Sequence, residues 1–135
     1  MKRDIKFRGK DHQGRWHFGD LRHTMMELGR PHCRIVNVDE DQYGRLQEKL
    51  SNLIDENTVG QFTGLMDANE KPIYEDDIVC LYYEGRCSYK GVVKYRFGQF
   101  RAYESNELST PLSQKPWKIV GNIHDNPEMM ERGVK

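Results

Sequence analysis

The sequence predicts a mostly β protein with one or two short helices. Three observations point there: polar–apolar alternation near the N-terminus, turn residues at short intervals after residue 58, and helical spacing confined to brief stretches. Ile5-Lys6-Phe7-Arg8 alternates apolar and charged side chains, the period of a half-buried strand. A turn around Gln13-Gly14 then leads to a second strand holding Trp16 and Phe18, so residues 3–19 read as a hairpin. Over 20–33, Leu21, Met25 and Leu28 fall at helical spacing, but Gly29 and Pro31 end any helix quickly, and the stretch stays ambiguous. Residues 34–38, "RIVNV", read as a strand. Leu46, Leu50, Leu53 and Ile54 recur at i, i+4, i+7 and i+8, which predicts an amphipathic helix within 42–57.

From residue 58 the chain reads as purely β. Thr58–Leu65 is a strand, 67–71 a turn and 72–74 a short return. Strands 78–83 and 86–89 pair across Glu84-Gly85. "GVVKYRF" and "FRAYES" flank Gly98-Gln99 as a further hairpin, and "WKIVGNI" (117–123) is the last strand. Asn126-Pro127-Glu128 places a cap residue, a proline and an acid where a helix starts, so a short C-terminal helix should run through about residue 132. No internal repeat or low-complexity segment stands out. The reading is one domain, with residues 1–57 forming a hairpin, strand and helix region and 58–135 a β region.

Composition excludes several classes. Lys+Arg and Asp+Glu both number 21, for a formal net charge of zero, whereas dedicated nucleic-acid binders draw affinity from a basic excess. No run approaches the roughly 20 apolar residues that a membrane span needs. The basic start "MKRDIKFRGKDHQGRW" has no apolar run behind it, so no secretory signal is expected. Three cysteines without a CxxC suit reduced thiols, and a cytoplasmic setting is expected.

Three segments in order carry a family resemblance: Ile5-Lys6-Phe7-Arg8, the block from Val59 to Val79 ("VGQFTGLMDANEKPIYEDDIV"), and Val120-Gly121-Asn122-Ile123 followed by Asn126-Pro127-Glu128. The chain resembles YopX-type phage and prophage proteins over nearly its whole length. It departs at Gly9-Lys10, where that family often has Ala-Trp, and at Glu70 and Asp76, which replace the glycines of a "DxNG" and an "EGD" turn. The resemblance implies an all-β protein with an SH3-like barrel in the C-terminal half, from a phage or prophage. It implies no particular chemistry.

The acids Glu75, Asp76 and Asp77, joined by Asp67 and His124, could in principle ligate a divalent cation. Adjacent strand residues point to opposite faces, however, so three acids in a row rarely converge. A structural turn at Asp67, Asn69, Glu75, Asp76 and Asp77 is the better reading, with Asp76 at a positive φ and Asp77 bonded to nearby amides. On that reading Asp76→Gly is neutral or stabilising by up to roughly 1 kcal/mol. His12, His17, His23, His32 and His124 form no zinc spacing, and His32-Cys33 lacks a second close thiolate. A two-residue loop at Glu84-Gly85 sets Cys80 against Tyr89 and Cys87 against Tyr82, both thiols buried and too far apart for a relaxed disulfide.

There is no nucleophile elbow and no phosphate loop. The best nucleic-acid stretch is 89–103, where Lys90, Lys94, Arg96 and Arg101 interleave with aromatics. Parity nevertheless sends Val93, Tyr95 and Phe97 to one face and Lys94 and Arg96 to the other. The expectation is a non-enzymatic accessory module without catalytic residue, metal or cofactor, bound to a protein partner; nucleic-acid binding through 89–103 is the alternative.

Overall fold

The computed structural model describes residues 4–27, 30–113 and 115–130. The chain divides into two compact units, Met1–Gln61 and Phe62–Lys135.

The first unit is an antiparallel sheet. Strand β1 (Phe7–Lys10) pairs with β2 (Trp16–Glu27), β2 with β3 (Arg30–Glu40), and β3 with β4 (Leu46–Leu50). The start of β5 (Gly60–Met66) lies along the other side of β1, with Gln61 opposite Phe7 and Gly60 opposite Arg8. A core of Cys33, Ile35 and Ile54, flanked by Phe7, Leu21 and Val59, holds the unit. Gly9 lies against this core, and a Cβ there would collide with the Ile54 side chain. The departure from alanine at residue 9 therefore follows from what packs opposite it.

One sequence expectation fails in this unit, and one open reading is decided. The ambiguous stretch 20–33 is strand in its described part, and the helix expected within 42–57 is strand β4 followed by a 3-10 turn, Glu56–Thr58, capped by the Asp55 carboxylate. The reason is geometric. An i, i+4 spacing is one helical turn but also an even number of strand residues, so Leu46 and Leu50 share a face in either structure.

The second unit carries β6 (Pro72–Tyr74), paired with the later part of β5, and a five-stranded antiparallel sheet. That sheet holds β7 (Asp77–Tyr83), β8 (Arg86–Arg96), β9 (Gln99–Tyr103), β10 (Ser109–Pro111) and β11 (Trp117–Asn122), in the order β10-β9-β8-β7-β11. Consecutive strands form a meander, and β11 returns to pair with β7. The two outer strands are not paired with each other among the described residues, so the sheet is open and not the closed barrel expected. Ile73, Val79, Val93, Ala102, Leu112 and Trp117 form its core. Burial of such side chains stabilises by about 1.5–3 kcal/mol each for the larger ones. The Trp117 indole donates to the Leu112 carbonyl at 2.8 Å, so its one polar atom is satisfied.

The C-terminal helix is a single 3-10 turn, Pro127–Met130, and its expected end near 132 lies outside the described residues. None of the described helices is long and apolar enough to cross a membrane.

Candidate functional site

The acid block resolves into separate hydrogen-bonding tasks. Asp67 opens the turn after β5: its Oδ1 accepts from the Asn69 and Lys71 amides at 2.8 Å each, and its Oδ2 from the Ile119 amide at 3.2 Å. Burial opposes ionisation of this carboxyl, but the three amides outweigh it and hold it below the usual carboxylate range. Asp77 is fully buried, and its Oδ2 accepts the Tyr74 amide at 2.8 Å, fixing the bend from β6 into β7.

Asp76 sits at φ 71°, where the family pattern carries glycine. Its side chain does more than a turn requires. Oδ1 accepts from the Lys94 ammonium at 2.8 Å, and Oδ2 lies 2.9 Å from His124 Nε2, with all three side chains largely buried. Burial pushes the carboxyl up, yet the bonds from His124 and Lys94 and their charges prevail and hold it below the usual carboxylate range. The sequence had placed Asp76 and His124 in a hypothetical cation site; the structure joins them with a lysine instead, whose charge would repel a cation. The Asp76 amide also donates to Val93, and its carbonyl accepts from Ile123, so one residue ties β8 to the turn after β11.

In the first unit, His12, His32, Cys33, Asp55 and Glu56 line one cleft of about 280 Å³. No group of three or more His, Cys, Asp or Glu side chains among the described residues is placed to hold a metal ion. Asp11 is buried and accepts from the Gln13 and Arg15 amides, the Arg15 side chain and His17 Nε2, the last at 2.9 Å. The His17 bond is the largest cause that keeps this carboxyl far below its ordinary range.

The cysteine expectation needs correction. Cys87 faces Tyr82 as expected, but Ser88 is an extra residue in β8, so Leu81 pairs with Tyr89 and Cys80 with Lys90. Cys80 is buried and Cys87 exposed, and all three cysteines are free thiols. Burial, with Cys87 adding to it, pushes the Cys80 thiol up to about 12.

The cations of 89–103 are largely engaged within the unit. Lys94 is paired with Asp76, the Arg96 guanidinium lies 4.5 Å from the Tyr103 ring centre, and Arg101 Nε donates to Ser109 Oγ at 2.7 Å. Only Lys90, of the four, projects as an exposed strand residue without a described side-chain bond. The apolar face behaves differently. Val93 is core, but further along the same face the Tyr95 and Phe100 rings meet at 4.9 Å with Tyr95 exposed. At the tip Phe97 is 95% exposed at φ 55°, followed by Gly98 at φ 80°. Such a turn normally takes Asn, Asp or Gly at both positions, because a bulky side chain at positive φ is strained. This aromatic tip is the candidate site. The sequence contained the signal, since "RFGQ" puts phenylalanine where a two-residue hairpin loop wants Asn or Asp.

A crystal structure of protein EF1440 from Enterococcus faecalis is similar, with a TM-score of 0.60 and 20% identity over 96% of this chain and 99% of that chain. At that identity the likeness is one of fold. A search of curated proteins finds no match. The family model described as YopX protein matches residues 6–131, nearly the entire sequence. The chain belongs to the YopX family.

Proposed function

We propose that this is a phage or prophage accessory protein of the host cytoplasm, a non-enzymatic module that engages a protein partner through the tip of the β8–β9 hairpin. The observation that carries the reading is Phe97, a large apolar side chain held almost fully in water at a strained backbone position. Positive φ here belongs to the turn, as at Glu84 (φ 51°) in the β7–β8 hairpin, but a bulky apolar side chain held in water at that position does not aid folding, and such an exposed cost motivates a functional reading. Buried aromatic anchors supply much of the energy of protein interfaces, and Tyr95 and Phe100 extend the apolar surface behind Phe97. The strand order of the second unit, a four-strand meander whose first strand takes back the last, supports an SH3-like reading of that unit.

Nucleic-acid binding is less well supported, because Lys94, Arg96 and Arg101 are held by Asp76, Tyr103 and Ser109 and face away from the aromatic side. The test is Phe97→Gly. This change relieves the positive φ and removes the anchor together, so the variant should melt at or above the original temperature yet lose the protein that the original chain retains from host extract. Retention of the same protein by the variant would refute the reading, as would a retained component that nuclease releases.

A further inference from the structure

We infer that the outer edge of β4 is a second interaction surface, through which two copies of this chain pair edge to edge. The hairpin β3–β4 is unusual in the first unit. From Asn37 to Leu50 every residue is exposed save the half-buried Asp41, so the arm presents both faces to water. A two-stranded ribbon in that state is marginal on its own, and an open edge invites another strand.

The arm's charges, Glu40 apart, are already matched within it or by its neighbour. Arg22 binds Glu48 through two bonds of 2.7 and 2.8 Å, Lys49 lies 3.3 Å from Asp39, and Arg45 lies 3.0 Å from Asp41. The edge strand itself then offers apolar side chains and open backbone. Val38, Leu46 and Leu50 are 53%, 70% and 52% exposed. All three lie on one face, because Val38 is opposite Glu48 and Leu46, Glu48 and Leu50 alternate with Gln47 and Lys49.

Backbone direction follows from two bonds. The Asp41 amide donates to the Arg45 carbonyl and the Ser51 amide to the Ile35 carbonyl, so residues 45 and 51 face β3. By alternation 47 and 49 do too, and Leu46, Glu48 and Leu50 direct their N–H and C=O groups outward.

These outward groups fit a second copy. With a two-fold axis at Glu48, Leu46 lies opposite the second copy's Leu50 and Gln47 opposite its Lys49. Each outward-facing pair then exchanges two N–H···O=C bonds. An axis at Gln47 or Lys49 sets a leucine against Glu48 instead. The one like pair in the favoured register is Glu48 with itself, and each carboxylate is already neutralised by its own Arg22. The same segment is thus complementary to itself, which is what an isologous interface requires.

Sedimentation of the full chain across the micromolar range tests this. The original protein should run at twice 15.9 kDa. Glu48→Pro, which removes an outward N–H and no ladder bond, should run at the single-chain mass, as should Leu46→Lys/Leu50→Lys. Both should keep the original circular dichroism. A readout independent of those variants is Glu48→Cys in a Cys87→Ser background. Facing hydrogen-bonded residues lie about 5.5 Å apart at Cα, within disulfide range. Mild oxidation should therefore give a covalent dimer, and Tyr43→Cys in the same background should not. A single-chain mass for the original protein at every concentration would overturn the proposal. So would a dimer that survives both edge variants, or equal cross-linking from positions 43 and 48.

Discussion

Replacing Asp76 by glycine is the most informative perturbation, because two effects of known sign compete at one residue. Glycine removes the strain of φ 71°, about 1–2 kcal/mol, though its greater unfolded-state freedom returns roughly 0.5–1 of that. Against this, Asp76 accepts bonds from Lys94 and His124 at 2.8 and 2.9 Å. Less than a fifth of either side chain of the Asp76–Lys94 pair is exposed, so solvent screens it little. Removing one partner of such a pair costs about 3–5 kcal/mol, because the other charge stays behind unmatched. Loss of the ion pair outweighs relief of the strain, and Asp76→Gly should destabilise by about 2–4 kcal/mol. For a chain of this size that lowers Tm by about 8–15 °C. The sequence alone suggested the opposite sign, since it showed the turn and not the cation behind it.

The pH dependence follows with its own sign. The folded Asp76 carboxyl is held below its unfolded value, near 3.9, so its contribution is fully present above that value. It is lost as pH falls through the folded pKa. Differential scanning calorimetry of the original, Asp76→Gly and Asp76→Asn should show gaps that narrow as pH falls below about 4. A Tm for Asp76→Gly equal to or above the original at neutral pH would refute this weighing of strain against charge.

Three further outcomes are expected. Glu70 occupies φ 62° at a turn position without a charge role, so Glu70→Gly should stabilise by up to about 1 kcal/mol in denaturant melts. Asp77→Ala should cost about 1–3 kcal/mol in the same assay, because it strands the buried Tyr74 amide. Native thiol titration should find one fast cysteine, Cys87, with Cys33 and Cys80 reacting only on unfolding.

The strand pattern of the second unit was legible because its turns carry glycine and its strands alternate. A regularity that recurs along the chain was equally present and was missed. Asp11 to Arg15, Asp41 to Arg45 and Asp67 to Lys71 are the same five-residue turn. In each, the first carboxylate accepts the amides of the third and fifth residues, and the fourth residue takes positive φ: Gly14 at 83°, Gly44 at 76° and Glu70 at 62°. Reading "DHQGR" and "DQYGR" as one motif would have turned the helix expected around Leu46 into a hairpin. The Ser88 bulge has no such local signature, since register is fixed by packing on both strands. The Lys94 and His124 contacts of Asp76 join positions 18 and 48 residues away, which only the folded sheet brings together. At the candidate site the parity of residues 93–97 was readable, but the engagement of Lys94, Arg96 and Arg101 by neighbours was not.

The central claim is that the tip at Phe97 meets a protein. A photo-activated cross-linking residue placed at position 97, with one at the exposed Tyr43 as reference, tests it in native host cells. Position 97 should give a discrete adduct, absent from position 43, that protease removes and nuclease leaves intact. An adduct removed by nuclease, or the same adducts from both positions, would contradict it.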